Sequence, residues 1–357
     1  MVGKELCTGC GACGAVCSEK AVAMRPDREG FLYPELDPAR CTGCGACGAV
    51  CPVSRRERRE GERSCFGARA QSEELRGLGS SGGLFPLLAS QILAQGGAVF
   101  GAALLEDGSV RHICVRRREE LPRITRTKYV QSDLSQVWGQ LRPRLEEGPV
   151  LFCGTPCQTD GVRAFLGEDR AGIVLVDLIC YGVPSPGVWE RYVRYLERRY
   201  RGVFRGFSFR DKRAEYGRAC SLRVGERELV WPLSKDLFCR TYFKNVNLRP
   251  SCFRCGYAAA ERTSDLTLGD FWGVEGVRPG FDDRRGCSVV LCHTRAGTEL
   301  WEQVRDQTRW FACREEDAAN ESQPRLRTPT RPSSRRGLWM GLYGRIPFPL
   351  WLRLAVR

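Results

Sequence analysis

Histidine is nearly missing from this chain, with two, His112 and His293, in 357 residues. That leaves almost no room for a histidine-based metal centre or for histidine acid–base catalysis. Long uncharged apolar runs are missing as well, so no segment is expected to span a bilayer, and no apolar run precedes Cys7 to suggest an export signal. Cysteine, by contrast, is plentiful at twenty. In a chain without an export signal, so many thiols point to metal ligation in the reducing cytoplasm and not to a disulfide scaffold. The length allows two or three domains around a substantial core.

The formal net charge of +14 invites a nucleic-acid reading. Metal-bound cysteines are thiolates, however, so ligated cysteines would offset part of that charge. The arginines are scattered, with local runs at 55–59 and 116–118, and no basic stripe carries clustered aromatics. Nucleic acid is therefore not an expected partner.

The densest signal lies between Cys7 and Cys51. Residues 7–17 and 41–51 both read CTGCGACGAVC, identical at every position. Each is a C-x₂-C-x₂-C-x₃-C run of the kind that holds a [4Fe–4S] cluster, with the fourth cysteine of each run serving the other cluster. The expected sets are thus Cys7, Cys10, Cys13 and Cys51 for one cluster, and Cys41, Cys44, Cys47 and Cys17 for the second. Zinc sites seldom use four cysteines in this register, and disulfides would not need a perfect duplicate. Between the runs, Ala21–Met24 and Phe31–Tyr33 read as a β-hairpin around a turn at Asp27–Gly30. Residues 54–64 are charged and aperiodic, and read as a linker or exposed helix.

Further on, Cys65–Ala70 reads as a strand. GLGSSGG at 77–83 then precedes an apolar helix from Leu84 to Gln95. Glycines before a helix are often only a turn and a cap, although exposed N–H groups at a helix start can also receive a phosphate. Strands are expected at Ala98–Leu105 and Val110–Val115. Ser132 is expected to cap a helix over Asp133–Leu145. Residues 149–180 combine two buried-type apolar runs, Pro149–Cys153 and Ile173–Ile179, around a helix near Gln158–Leu166. That is a βαβ unit, with Cys157 and Cys180 near the carboxyl ends of its strands. Ser185 and Pro186 start a long amphipathic helix to about Tyr200, and 203–231 reads as antiparallel strands.

Cys252 and Cys255 form a C-x₂-C. Joined to Cys157 and Cys180, they would make four ligands for a third cluster; a zinc knuckle or two unrelated buried pairs are the alternatives. Cys114, Cys153, Cys220, Cys239, Cys287, Cys292 and Cys313 are read as buried residues without a ligand role. The Arg- and Pro-rich tail from 324 carries aromatics. Its prolines and glycines speak against a clean amphipathic helix on a membrane, and packing on the body or a partner is expected.

With these strings in hand, the chain resembles the coenzyme F420 hydrogenase/dehydrogenase beta-subunit family, in a form with an N-terminal two-cluster ferredoxin. The matching strings are SSGG at 80–83, KYVQS at 128–132, LFCGTPCQ at 151–158, DLICYGVPSPGVW at 177–189, and SCFRCGY followed by SDLTLGDFWG. The resemblance implies an α+β chain. A ferredoxin-type domain would occupy 1–60, a larger mixed α/β flavin and iron–sulfur domain with the βαβ unit 61–325, and a basic aromatic tail 326–357. It implies three [4Fe–4S] clusters and FAD. Cys157, Cys180, Cys252 and Cys255 would hold the third cluster, and Ser80, Ser81, Gly82, Gly83, Lys128, Tyr129, Ser132 and Asp270 would border the flavin. The implied activity is a cytoplasmic oxidoreductase moving electrons from a ferredoxin-type donor through the clusters to FAD and a small two-electron acceptor. The alternative is a non-catalytic electron-transfer subunit docked to a hydrogenase or dehydrogenase. The expected partners are a redox protein and a small-molecule acceptor, with self-association left open.

Overall fold

The computed structural model describes residues 1–55, 63–167 and 171–357. Of the charged stretch expected at 54–64, residues 56–62 lie outside the described residues. The N-terminal unit is built on a hairpin in which β1 (Val22–Pro26) pairs antiparallel with β2 (Leu32–Leu36), Val22 opposite Leu36 and Pro26 opposite Leu32. Asp27 shapes the turn, its Oδ1 accepting from the amides of Glu29 (2.9 Å) and Phe31 (3.0 Å). Each cysteine run ends in a four-residue helix, Ala12–Ala15 and Ala46–Ala49, entered from a glycine in the left-handed region. The two helices pack on each other.

The rest of the chain is organised on an eight-stranded mixed sheet. In chain order its strands are β3 (Ser64–Ala70), β4 (Ala98–Leu104), β5 (Val110–Val115), β6 (Val150–Cys153) and β7 (Ile173–Leu178). A separate three-stranded antiparallel sheet follows, from β8 (Phe204–Asp211), β9 (Ala219–Val224) and β10 (Arg227–Pro232). The chain then returns to the large sheet with β11 (Leu266–Asp270), β12 (Ser288–Cys292) and β13 (Thr308–Cys313). The order across the large sheet is β13-β3-β12-β11-β7-β6-β4-β5, with β4, β6, β7 and β11 parallel and the outer pairs antiparallel. Strands β6 and β12 are buried at every position, as apolar strands covered on both faces should be.

The expected βαβ unit is present: β6, the helix Pro156–Leu166, and β7 parallel to β6. The helix begins with a capping box in which the Gln158 side chain accepts from the Thr155 amide at 3.0 Å, with Pro156 in the first turn. Two expectations need correction. The helix expected over 133–145 runs over Trp138–Glu147, and Ser132 does not cap it. Asp133 instead turns the chain, its Oδ1 accepting from the Ser135 amide at 2.8 Å. The tail forms two short helices, Arg336–Leu342 and Phe348–Ala355. Pro347 and Pro349 fall at the cap and in the first turn of the second, where a missing N–H breaks no bond. That helix packs on the helices Pro186–Tyr200 and Leu237–Phe243, and Trp351 and Leu352 are fully buried beside Trp189, Phe209 and Phe238. Burying a leucine-sized side chain stabilises by roughly 1.5–3 kcal/mol, which anchors the tail to the body.

Candidate functional site

The two identical cysteine runs meet different surroundings. In the first, Cys7 and Cys10 are buried; in the second, Cys41 and Cys44 are exposed. Cys7, Cys10, Cys13 and Cys51 line one small cavity, which Cys47 also borders. Burial pushes the Cys10 thiol up to about 11 and that of Cys13 to about 12, and Cys7 and Cys51 add to both shifts. Thiols crowded and desolvated in this way resist ionisation together unless a cation takes up their charge.

A second convergence lies just beyond the carboxyl ends of β6 and β7. Cys157 sits in the first turn of the helix Pro156–Leu166, Cys180 two residues after β7, and Cys252 and Cys255 in and after the short 3₁₀ turn Pro250–Arg254. Burial raises the thiols of Cys157, Cys180 and Cys252, the last to about 12. Each also feels its neighbours: Cys255 and Cys180 act on Cys157, Cys252 and Cys255 on Cys180, and Cys157 and Cys255 on Cys252. The Val183 amide points at the Cys252 sulfur at 3.4 Å. Arg262 is 2% exposed and close enough to favour the ionised form of Cys180. Among the described residues, none of its three guanidinium nitrogens has a hydrogen-bond partner. Its charge also reaches the buried Asp177, and its unbonded donors near Cys180 suit a group that brings acceptors, as the sulfides of a cluster do.

The two thiol sets are neighbours. One turn along from Cys157, Gly161 lies so close to Cys10 that a Cβ there would stand 2.9 Å from the Cys10 Cβ and 3.1 Å from its sulfur. Glycine inside a helix costs roughly 0.5–1 kcal/mol against alanine, and here it allows the two backbones to approach.

Cys180 also borders a cavity of about 720 Å³, a size that holds a cofactor-scale ligand. Ser80, Ser81, Gly83, Lys128, Tyr129, Ser132 and Asp270 line it too. Gly82 does not. It lies under the turn, where a Cβ would stand 2.6 Å from the Ala68 carbonyl oxygen. The serine side chains are committed to holding loops: Ser80 Oγ accepts from the Thr127 amide at 2.7 Å, and Ser81 Oγ donates to the Cys287 carbonyl at 2.8 Å. Gly83, at φ 82°, opens the helix Leu84–Ala94, whose first amides have no side-chain cap.

Lys128 Nζ donates to the Thr125 carbonyl at 2.5 Å, and burial pushes the amine down to about 7. Burial likewise raises the Tyr129 phenol. Asp270 is paired with Arg210 at 2.5 Å. Ser132 belongs to a buried chain of hydrogen bonds. His112 Nε2 lies 2.9 Å from the Cys153 carbonyl and must donate to it, so Nδ1 accepts from Ser132 Oγ at 2.9 Å, and that oxygen accepts from Gln158 Nε2 at 3.0 Å. Burial lowers His112 to about 4 and keeps it neutral.

Sequence reasoning missed Arg210, Tyr216, Trp272 and His112 in this wall. Trp272 stands in a quoted string, GDFWG, and was legible. Arg210 and Tyr216 sit in and after β8, a strand with no motif, and only the tertiary fold brings them here.

Residues 148–317 match the family model for the C terminus of the coenzyme F420 hydrogenase/dehydrogenase beta subunit, and residues 6–54 match the 4Fe-4S dicluster domain. No curated protein matches the chain. Among solved structures, a chain of the F420-reducing [NiFe] hydrogenase complex from Methanosarcina barkeri (a xenon derivative) is similar at a TM-score of 0.47 and 17% identity, over 73% of this chain and 86% of that one. Among the described residues, no helix is long and apolar enough to cross a membrane.

Proposed function

Because residues 148–317 match the coenzyme F420 hydrogenase/dehydrogenase beta-subunit family model and residues 6–54 match the 4Fe-4S dicluster domain, we propose that the chain is an iron–sulfur flavoprotein oxidoreductase. Cys7, Cys10, Cys13 and Cys51 hold one cluster, Cys41, Cys44, Cys47 and Cys17 the second, and Cys157, Cys180, Cys252 and Cys255 a third. FAD occupies the large cavity. When bound, the clusters pass single electrons and the flavin pairs two of them for an organic acceptor. The observation that carries this reading is Cys180, which stands in the third thiol set and in the cavity wall at once.

The chain's own residues supply position and access. Cys41 and Cys44 lie open to solvent, where a one-electron donor protein can approach. Gly161 removes side-chain bulk between the inner dicluster set and the third set. The uncapped amides after Gly83 suit a pyrophosphate. The His112–Ser132–Gln158 chain fixes one wall and carries no charge at neutral pH.

Anaerobic purification with assay of iron, sulfide and flavin tests the proposal. Loss of flavin colour on adding a reduced ferredoxin-type donor supports it; a flavin-free protein with no labile sulfide ends it. The exposure of Cys41 and Cys44 also favours a second reading, a non-catalytic subunit that relays electrons to a docked partner. Turnover of an acceptor by the isolated chain separates the two.

A further inference from the structure

Arg249 is fully buried, although it carries a permanent charge. It leaves the main body just ahead of Cys252 and enters the ferredoxin-type unit. There Nε donates to the Cys7 carbonyl at 2.8 Å, Nη2 to the Leu32 carbonyl at 2.9 Å, and Nη1 to Gln131 Oε1 at 2.9 Å. Nη2 also points at the Cys7 sulfur at 3.8 Å. The guanidinium lies over the Tyr33 ring at 4.2 Å and the Phe31 ring at 5.3 Å. Its partners are carbonyls, an amide, a thiol and two rings, so its hydrogen bonds go to the Cys7 loop and its neighbours, while its charge also reaches Cys252 of the third thiol set.

The second run has the same eleven residues and, among the described residues, nothing comparable. Its flanking arginines, Arg40 and Arg55, are exposed. A Cβ on Gly9 would stand 2.6 Å from Arg249 Nη1, whereas one on the equivalent Gly43 would meet nothing within 4 Å. Among the described residues, the two runs thus share ligands and loop and differ in burial and in the buried Arg249, the second run being met by the exposed Arg55, whose Nη1 donates to the Ala49 carbonyl at 3.1 Å.

We infer that Arg249 is a tuning residue that lifts the reduction potential of the cluster held by Cys7, Cys10, Cys13 and Cys51 above that of its exposed twin. Burial alone disfavours the extra electron of a reduced cluster and would set the inner potential below the outer one. A buried cation donating toward a ligand sulfur stabilises the reduced form and reverses that order. One electron then passes inward downhill: the outer cluster is oxidised by one unit, the inner cluster is reduced by one, and no proton moves. The inference rests on the proposed function only in requiring that both clusters be present.

The test is an EPR-monitored redox titration of the full chain with dithionite as reductant, with iron and sulfide counted on the same sample. Cys44→Ser identifies the outer signal as the one it alters, and Cys252→Ser combined with Cys255→Ser identifies that of the third set, which leaves the inner one. In the unaltered protein the inner midpoint must lie above the outer; the opposite order overturns the inference. In Arg249→Gln at full iron content the inner midpoint must fall while the outer stays, and an unmoved inner midpoint overturns it as well. Should Arg249→Gln fail to fold, Arg249→Lys, which keeps the charge, must hold the inner midpoint above the outer. Absence of iron and sulfide would refute the proposed function instead, so the two failures are distinguishable.

Discussion

The guanidinium of Arg249 and the backbone of Cys7 are joined by a 2.8 Å hydrogen bond from Nε to the Cys7 carbonyl, 242 residues apart in the chain. This bond is one of the contacts that tie the ferredoxin-type unit to the body at the buried run. The Cys7 loop is held by Arg249 and by Gln131, whose Nε2 donates to the Thr8 carbonyl at 2.9 Å, and the guanidinium is itself held by the Leu32 carbonyl.

The first prediction compares Gly9→Ala with Gly43→Ala. Both glycines have positive φ, 70° and 74°, so backbone strain is common to the two. Only the Gly9 Cβ would collide, with Arg249 Nη1 at 2.6 Å and the Leu32 carbonyl at 2.8 Å. Gly9→Ala should destabilise by about 1–3 kcal/mol more than Gly43→Ala, the usual cost of overpacking. Anaerobic denaturant unfolding of the cluster-loaded variants measures the difference, and equal losses would count against the docking contact.

Gly161→Ala should lower stability despite alanine's better helix propensity. The propensity gain is roughly 0.5–1 kcal/mol, and pushing a methyl to 2.9 Å from the Cys10 Cβ costs about 1–3 kcal/mol. The net loss should appear in the unfolding midpoint, with iron content retained. A more stable variant would show that the helix and the Cys10 loop can part freely.

Lys128 sets a pH dependence. Burial holds its amine at about 7 in the fold against an ordinary 10.5. Between these values the unfolded chain carries a proton that the folded chain has released, so this residue's contribution to stability rises with pH. Below about 7 its cost is complete. Lys128→Met should therefore gain most over the parent protein near pH 7 and progressively less by pH 9, as read by urea unfolding at each pH. A gain that does not change with pH would mean that the amine keeps its proton in the fold.

Cys252→Ser combined with Cys255→Ser should remove about four iron atoms per chain, one cubane. The dicluster set should remain, because neither residue belongs to it. Elemental analysis of the anaerobic protein decides this, and unchanged iron would dissolve the third set.

Much of this arrangement could be read from the letters. Spacing placed the cysteine runs, the hairpin and the βαβ unit, because short-range chemistry determines each: a loop that wraps one cube, a turn at Asp27, two apolar runs around a capped helix. The inequality of the two runs could not be read, since identical strings carry no information about what packs on them. Arg249 was equally silent, an arginine before a proline whose partners lie more than a hundred residues away. Ser132 looked like a helix cap because a cap depends on the next four residues, whereas its real partners, His112 and Gln158, come from other elements. The tail's prolines looked like helix breakers until their positions at a cap and in a first turn were known.

The most direct test of the central claim is one preparation of the full chain, purified without oxygen and assayed for iron, acid-labile sulfide and flavin. The account predicts about twelve iron and twelve sulfide per chain, three cubanes' worth, together with one flavin that bleaches when a one-electron donor is added. A colourless protein without labile sulfide, or one whose flavin stays oxidised while the clusters are reduced, would contradict it.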